Sequence, residues 1–334
     1  MKIKFKNKII DENHPPFIIA EAGINHNGKL KIAKKMVIEA KNAGADAIKF
    51  QTFKATDVFL PNSPSIKPVS KFELSFNEFE ELSDYCKSEK IIFCSTPFSE
   101  EGVDFLDNLN VPFFKISSGD LTYLPLLKYV AAKNKPIILS VGMGLSNEIK
   151  DAINTIHSKK NSKIIIMHSV SGYPTPVEEA NLNAITTLRK KFHLTVGFSD
   201  NGPGILVPLI AISLGANVIE KHFTLDNKMK GPDHVFSVNP ASLQSLIQQS
   251  RQIKEILGSG KINCQKSELI GRTDYRRSIF SSKSIPKGTK ITKEFLTICR
   301  PVKGIEPKYF SSLLNKIAKK NITKFKSINR SDFK

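Results

Sequence analysis

Eight short apolar segments, each followed by a helical pattern, fill this 334-residue chain as far as Leu257. The segments lie at residues 17–23, 47–52, 91–98, 113–120, 136–142, 164–170 and 194–200, and a last one begins at 217. Nearly all of them start apolar and end polar, and uninterrupted apolar runs indicate parallel strands buried on both faces. Eight such units with short connections predict a (β/α)₈ TIM barrel, in which catalytic groups gather at the carboxyl ends of the strands.

A doubly wound open sheet is the alternative fold. It would place function at one switch point of the sheet rather than at all eight strand ends. The early loop GINHNG lacks the G-x-G-x-x-G spacing of a dinucleotide-binding turn, so nothing in it favours this alternative.

The character of the sequence changes after Leu257. Residues 261–275 are polar and predict a linker, whereas residues 276–334 contain short β-like pieces broken by Pro286-Lys287-Gly288. We therefore expect a barrel domain over residues 1–260, a linker, and a small β-rich domain over residues 276–334. A domain of that size is only marginally stable alone and needs a partner surface.

The net charge of +19 is concentrated near the C-terminus, because residues 261–334 hold 19 Lys and Arg against 5 Asp and Glu. Three interpretations stay open: a solvated lysine-rich surface, steering of a small anionic substrate, and binding of nucleic acid. No glycine- and aromatic-rich RNA-binding signature accompanies the charge. We therefore expect no nucleic-acid partner.

The chain shows no signs of a membrane or secreted protein. No apolar run approaches the roughly 20 residues of a membrane span, and the N-terminus is too charged and too broken by proline for a signal peptide. The four cysteines show no CxxC spacing, which argues against structural zinc and a disulfide framework. We expect a cytoplasmic protein.

Lys49 and Lys115 both lie inside apolar strands, where an unpaired charge is costly. The favoured interpretation is a clamp for a phosphate or carboxylate group, and ion pairs with Glu21 or Asp120 are the alternative. Hydroxyl groups from successive strand ends could complete a bowl for phosphate oxygens, although simple strand-end capping is also possible. These hydroxyls belong to Thr96, Ser118, Ser140, Ser171 and Ser199.

His222 follows Glu220 and Lys221 at the end of the eighth strand and is either a metal ligand or a buried core histidine. Glu21 becomes its neighbour when a barrel closes, and Asn201 follows the seventh strand. This arrangement favours a divalent metal site with few protein ligands.

Several motifs together resemble the sialic acid synthases, the phosphoenolpyruvate-dependent enzymes that make nonulosonic acids. The motifs are FIIAEAGINHNG, DAIKFQTFKA, STPFSEEGVDFL, FKISSGD, PIILSVGM, HSVSGYPTP, GFSD, EKHFTLD, GPDH and CRPVKGI. The resemblance covers nearly the whole chain. It implies a TIM barrel followed by an antifreeze-like (SAF) domain, a domain-swapped homodimer, and condensation of phosphoenolpyruvate with an N-acetylated amino sugar, with release of phosphate by C–O cleavage.

The same resemblance implies roles for individual residues. Phosphoenolpyruvate would be held by Lys49, Thr96, Lys115, Ser118, Ser140 and Ser199, and the sugar by Gln51, Asp120, Ser171, Tyr173 and Asp233. Glu21 would lie beside the reacting centre, His222 would bind Mn²⁺ or Mg²⁺, and Arg300 would reach into the barrel of the partner subunit. The metal would polarise the sugar aldehyde, C3 of phosphoenolpyruvate would attack it, and water would add at C2.

Three positions depart from the family pattern. Asn201 stands where a second metal-binding histidine is usual, Ser171 replaces an asparagine, and Asp120 replaces a glutamate. Because the last two lie where the sugar should bind, we expect a sugar other than plain N-acetylmannosamine. A 2,4-diacetamido-trideoxyhexose that leads to legionaminate is the alternative to N-acetylmannosamine. A 3-deoxy-ulosonate synthase acting on a phosphorylated sugar, and a non-catalytic paralogue with an impaired metal site, remain alternatives.

Overall fold

The computed structural model describes residues 2–334, and the chain divides into two compact units between Gly258 and Ser259. The first unit opens with an antiparallel hairpin of β1 (Ile3–Phe5) and β2 (Lys8–Ile10). Eight parallel strands follow, in the neighbour order β5-β4-β3-β10-β9-β8-β7-β6. They are β3 (Phe17–Gly23), β4 (Ala47–Thr52), β5 (Ile92–Pro97), β6 (Phe114–Ile116), β7 (Ile137–Ser140), β8 (Ile164–Ser169), β9 (Thr195–Asp200) and β10 (Val218–His222).

The end strands β5 and β6 lie beside each other, so the sheet forms a nearly closed barrel. This confirms the predicted TIM barrel, and the open-sheet alternative is wrong. The strand predicted at 113–120 is shorter than expected. Only Phe114–Ile116 pairs as β6, and Ser118–Asp120 form a 3₁₀ turn that places their side chains at the rim.

Helices cover the outside of the barrel. The long ones are α1 (Leu30–Ala43), α4 (Phe76–Ser88), α5 (Glu100–Asn108), α6 (Leu124–Ala132), α7 (Ser146–His157), α8 (Asn183–Phe192), α9 (Leu206–Ser213) and α10 (Pro240–Leu257), with the one-turn α2 (Ala55–Val58) and α3 (Ile66–Val69) after β4. Local sequence sets their ends. Ser75 and Glu78 form a capping box at the start of α4, and Gly44 ends α1 with a φ of 92° that favours glycine.

Alternate residues of each strand enter two different cores, which explains why the strands are apolar throughout. Ile18 and Ile219 face the helices, whereas Ile19 and Val218 face the barrel interior. The hairpin closes the amino end of that interior. Phe5 packs against Phe113 and Phe17, with ring centroids 4.2 and 5.2 Å apart, and forms an aromatic floor.

The second unit has a small core of its own. It contains α11 (Leu269–Asp274), the antiparallel pair β11 (Ser278–Ser281) and β12 (Leu296–Cys299), and the short α12 (Phe310–Leu313). Isoleucines from across the unit, among them Ile279, Ile291 and Ile328, form its centre. Over residues 2–334, no helix combines the length and the apolar character that a membrane crossing requires.

Candidate active site

The carboxyl ends of the barrel strands surround a polar cavity of about 230 Å³. Its lining consists of Glu21, Lys49, Gln51, Thr96, Phe98, Lys115, Ser117, Ser118, Ser140, Ser169, Tyr173, Ser199, Asn201, Glu220, His222 and Asp233. Each barrel strand, or the segment directly after it, contributes at least one of these residues. Residues that are distant in sequence therefore converge because parallel strands end at one rim.

A larger cavity, about 660 Å³, lies at the amino ends of the strands. Two of its basic groups are already bound to backbone oxygens: Arg189 Nη1 donates to Leu214 O at 3.3 Å, and Lys254 Nζ donates to Asn13 O. It therefore offers few free donors for a ligand, and the strand-end cavity is the better candidate.

Two lysines and two glutamates form a buried charged cluster in the strand-end cavity. Lys49 Nζ lies 2.8 Å from Glu21 Oε2 and 3.9 Å from Glu220 Oε2, and Lys115 Nζ lies 3.0 Å from Glu220 Oε1. All four side chains are almost completely buried. Buried ions persist only when they are paired, and here each lysine has a carboxylate in the protein itself. Lys49 pairs with Glu21, as the ion-pair interpretation suggested, but Lys115 pairs with Glu220 and not with Asp120.

Hydroxyl groups complete this cluster. Thr96 Oγ1 lies 3.2 Å from Lys49 Nζ, and Ser199 donates to Glu220 Oε1 at 2.9 Å. Ser118 Oγ accepts the N–H of Gly142 at 3.1 Å. A Cβ at Gly142 would lie 2.6 Å from Ser171 Oγ. Only glycine at position 142 therefore lets the Ser171 hydroxyl lie this close to the backbone of residue 142.

Burial and neighbouring charges set the protonation states. Burial raises the pKa of Glu21 to about 7, despite the opposing effect of Lys49. Burial also raises the pKa of Glu220, but Lys115 and Lys49 outweigh it and hold that pKa below its usual value. Burial lowers the pKa of Lys115, whereas in Lys49 the charges of Glu21 and Glu220 overcome burial and raise the pKa. Near neutral pH, Glu21 is therefore the member of the cluster that can take up or release a proton.

His222 and Asp233 form a second corner of the cavity. His222 Nδ1 lies 3.7 Å from Asp233 Oδ2, and the imidazole packs edge-on against Tyr173 and Phe236. Burial lowers the pKa of His222 to about 3 and raises the pKa of Asp233 to about 6. The imidazole is thus neutral, which is the form that binds a metal.

The donor atoms around His222 and Asp233 decide whether a divalent cation could be held here. His222 Nδ1 is buried without a hydrogen-bond partner, which marks it as a free ligand atom. Asn201 uses its amide nitrogen to donate to Val170 O at 2.7 Å, leaving the amide oxygen as the available donor. Across residues 2–334, no three His, Cys, Asp or Glu side chains gather in a metal-binding group. The residues fit a cation that is held jointly by protein and ligand oxygens, as Mg²⁺ commonly is, and not a closed protein cage.

The structure gathers most of the residues proposed from sequence. Asp120 and Ser171 stand beside the cavity and not on its lining, and Asp120 accepts a hydrogen bond from Ser117 at 2.5 Å. Arg300 belongs to the second unit, where its guanidinium lies 5.6 Å from the Tyr275 ring. The roles proposed for these three residues, and for the residues that line the cavity, stay predictions.

Sequence reasoning assigned no role to Glu220, although the cluster centres on it. A signal was available, because Glu220 alternates with Val218 and His222 and so shares their inward face. Ser117 and Ser169 were missed as well. Serine near a strand end is too common to indicate a site, so nothing in the sequence marks these two.

Comparison with known proteins extends these findings. The NeuB family matches residues 36–262, and the SAF domain matches residues 276–328. The N,N'-diacetyllegionaminic acid synthase of Campylobacter jejuni is 42% identical, over 91% of this chain and 96% of its own. The N-acetylneuraminate-9-phosphate synthase of Homo sapiens is 34% identical, over 91% of this chain and 88% of its own.

Among solved structures, the N-acetylneuraminic acid synthetase of Leptospira borgpetersenii, in complex with citrate, is similar with a TM-score of 0.77 and 38% identity. It covers 81% of this chain and 95% of its own. The resemblance drawn from the motifs is thereby confirmed, and so is a SAF domain after the barrel.

Proposed function

The chain belongs to the NeuB family and is a synthase of the sialic acid synthase type, and on this premise we propose that it condenses phosphoenolpyruvate with an N-acetylated amino sugar. The products are a nonulosonic acid and inorganic phosphate. The observation that carries the proposal is the convergence of Lys49, Lys115, Glu21 and His222 on one cavity. The cavity thus combines an anion-binding end with a corner suited to a polar sugar.

Phosphoenolpyruvate binds at the lysine end. Its phosphate and carboxylate groups replace Glu21 and Glu220 as partners of Lys49 and Lys115, which lie only 3% exposed. The hydroxyls of Thr96, Ser118, Ser140 and Ser199 supply donors to the remaining oxygens. Ser140 Oγ is buried without a hydrogen-bond partner, which supports such a role.

The amino sugar binds nearer the rim, where Gln51, Tyr173 and Asp233 present polar atoms beside His222. A divalent cation held there by His222, with Asp233 and the amide oxygen of Asn201, would polarise an aldehyde oxygen as a Lewis acid. Either Mg²⁺ or Mn²⁺ suits this mixed donor set, and replacement of a histidine by Asn201 favours the harder Mg²⁺.

The bond changes follow from this arrangement. C3 of phosphoenolpyruvate attacks the aldehyde carbon, and positive charge develops at C2. A water oxygen adds to C2, and the bond from C2 to the phosphate oxygen breaks, so that phosphate leaves with the bonding electrons. The two lysines offset the charge of the leaving phosphate. Glu21, with a pKa of about 7, accepts one proton from the water and passes it to the alkoxide formed from the aldehyde, and the remaining proton of the C2 hydroxyl leaves with the phosphate.

Two observations favour a diacetamido sugar over N-acetylmannosamine. The relative that makes N,N'-diacetyllegionaminic acid is 42% identical, against 34% for the relative named for N-acetylneuraminate 9-phosphate. Asp120 and Ser171, which stand beside the cavity, also depart from the family pattern where the sugar should bind. We therefore propose a 2,4-diacetamido-trideoxyhexose as the preferred substrate.

A phosphate-release assay tests the proposal. Phosphoenolpyruvate is supplied with the diacetamido sugar, N-acetylmannosamine or N-acetylmannosamine 6-phosphate, each with Mg²⁺, Mn²⁺ or EDTA. We expect turnover of the diacetamido sugar to exceed that of the others by about tenfold or more, since buried polar groups discriminate strongly. Preference for N-acetylmannosamine 6-phosphate would favour N-acetylneuraminate 9-phosphate as the product, as named for the human relative. No release with any sugar would indicate a non-catalytic paralogue.

We further propose that a second copy of the chain covers the cavity and contributes Arg300. Loops at the strand ends expose apolar side chains around the mouth, among them Met143, Leu145, Leu206 and Val235. Exposed apolar clusters of this kind mark interaction surfaces. A domain-swapped dimer would bury them and bring a cation to the substrate.

A further inference from the structure

The loop that carries Asp233 is closed by a buried polar network that the proposed reaction does not use. The loop spans residues 223–239, between β10 and α10. His234 is completely buried, and its Nδ1 lies 2.7 Å from Thr224 Oγ1 while its Nε2 lies 3.4 Å from Asn27 Oδ1. The imidazole therefore bridges the start of the loop and the turn that follows β3.

Backbone carbonyl groups at Asp233 and just after it are held by the same network. Asn227 Nδ2 donates to His234 O at 2.9 Å and to Ser237 O at 2.6 Å. Ser237 Oγ in turn donates to the carbonyl oxygen of Asp233 at 2.6 Å. The backbone at Asp233 is thus fixed by hydrogen bonds from within the loop.

A second connection ties the loop to the barrel. Asn25 Nδ2 donates to Ser237 Oγ at 3.0 Å and to the carbonyl oxygen of Phe223 at 2.9 Å. Asn25 lies just beyond β3, the strand that carries Glu21. The loop with Asp233 and the strand with Glu21 are therefore held in register by side chains that are themselves buried.

The imidazole of His234 also packs closely against the backbone of the loop. Gly231 has a φ of 155°, and a Cβ at this position would lie 2.7 Å from His234 Cδ2 and 3.0 Å from Asn27 Oδ1. Apolar packing holds mainly the ends of the loop, where Phe223 and Val238 are buried. Between them, over residues 226–237, Val235 is 72% exposed and Phe236 is the only fully apolar side chain that is buried. Hydrogen bonds, more than a hydrophobic core, define this loop.

We propose that His234, together with Thr224, is a positioning pair that holds the Asp233 carboxylate in the cavity, 3.7 Å from His222 Nδ1. The inference rests on the proposed function in that it takes Asp233 to bind the amino sugar. Neither His234 nor Thr224 lines the cavity, so their effect reaches the substrate through the loop alone.

The experiment uses two substitutions of Thr224, one that keeps its hydroxyl and one that removes it. Thr224→Ser keeps the partner of His234 Nδ1, whereas Thr224→Val removes it at nearly constant volume. His234→Ala removes the ring, and His157→Ala, at an exposed histidine of α7, is the matched control. Two quantities are measured on the full-length protein: amide hydrogen exchange of residues 226–237 without substrates, and the separate KM values for amino sugar and phosphoenolpyruvate.

We expect Thr224→Val and His234→Ala to speed exchange in the loop and to raise KM for the amino sugar about tenfold or more, because small displacements of a binding group are costly. KM for phosphoenolpyruvate should change less than about twofold, because the lysine end is untouched. Thr224→Ser and His157→Ala should resemble the wild type.

Unchanged loop exchange in Thr224→Val would overturn the proposal, and so would an equal rise of both KM values. If His234→Ala does not fold, the comparison of Thr224→Val with Thr224→Ser decides. If the wild type shows no synthase turnover, the proposed function fails. The exchange measurement then still decides whether the pair holds the loop, independently of the reaction.

Discussion

Glu220 is the side chain on which the charge balance of the cavity depends. It accepts hydrogen bonds from Lys115 and Ser199 and lies 3.9 Å from Lys49. The protein thus carries its own counter-ions for the lysines that are proposed to bind phosphoenolpyruvate. Stability of the empty barrel and affinity for an anion are consequently linked, since both use the same two cations.

Replacement of Glu220 tests this link. Glu220→Gln leaves Lys115 buried without its carboxylate, and we expect the free energy of unfolding to fall by about 3 kcal/mol. Inorganic phosphate should then raise Tm more in the variant than in the wild type, because it meets less competition. Thermal unfolding with and without phosphate measures both effects. The control is Glu101→Gln, which removes an exposed partner of Lys54 and should cost less than about 1 kcal/mol.

His26 gives a prediction about acid stability. Burial lowers its pKa to about 4, and its Nδ1 accepts the N–H of Gly28 at 3.1 Å. Below about pH 6.5 the unfolded chain takes up a proton at His26 that the folded chain refuses, so stability falls as the pH drops toward the folded value. His26→Asn keeps an acceptor but cannot titrate. We expect it to reduce the loss of stability between about pH 7.5 and pH 5 by up to roughly 2 kcal/mol.

Urea unfolding at the two pH values measures the difference. His157→Asn, at an exposed position, serves as the reference. The same pH dependence in His26→Asn and the wild type would mean that folding leaves the protonation of His26 unaltered.

Individual site residues were predictable to different degrees. Lys49 and Lys115 stood out because a lysine inside an apolar strand has few explanations. The partner of Lys115 could not be foreseen, because Glu220 is 105 residues away and meets it only across the closed barrel. Whether a pocket lysine is neutralised by a ligand or by the protein depends on such distant pairs, which a single sequence does not reveal.

The strands, like the site residues, were predictable to different degrees. Seven of the eight barrel strands lie close to their predicted positions because each is a strong apolar run. In the segment predicted at 113–120 the strand ends at Ile116, and Ser118–Asp120 form a 3₁₀ turn, because serine and glycine favour turns. The hairpin β1–β2 was missed because three-residue strands are too short for periodicity to be recognised.

A buried ion pair joins the ends of β9 and β10 on the helix-facing side. Lys221 Nζ lies 2.6 Å from Asp200 Oδ2 and also donates to the carbonyl oxygen of Gly202, whose N–H donates to Asp200 Oδ1 at 3.0 Å. The pair therefore fixes the turn that presents Asn201 to the cavity.

We expect Lys221→Met and Asp200→Asn each to lower the free energy of unfolding by about 3 kcal/mol or more, because each leaves an unpaired buried group. In the double variant the loss should be smaller than the sum by more than about 1 kcal/mol. Urea unfolding of the wild type and the three variants measures the free energies of this double-mutant cycle. Additive losses would show that the two side chains act independently.

For the whole molecule, the question is whether one chain contains a complete active site. Lys115→Met should inactivate the cavity of the chain that carries it. Arg300→Ala should remove the cation that this chain is proposed to contribute to the cavity of its partner. Co-expressed with different tags, the two variants should form mixed dimers with one intact site. We expect recovery of about a quarter of the wild-type rate in a random mixture, measured by phosphate release.

The control combines Lys115→Met with Lys49→Met, two changes in the same barrel, which cannot complement each other. No recovery in the first mixture, with dimers confirmed by sedimentation, would place Arg300 outside the site of the partner.

The aromatic floor formed by Phe5, Phe17 and Phe113 has a consequence for the sequence of events during turnover. Because the floor closes the barrel at its amino end, molecules enter and leave the cavity through its mouth at the carboxyl end. The proposed position of phosphoenolpyruvate at the lysines, deeper than that of the sugar, predicts that phosphoenolpyruvate binds first.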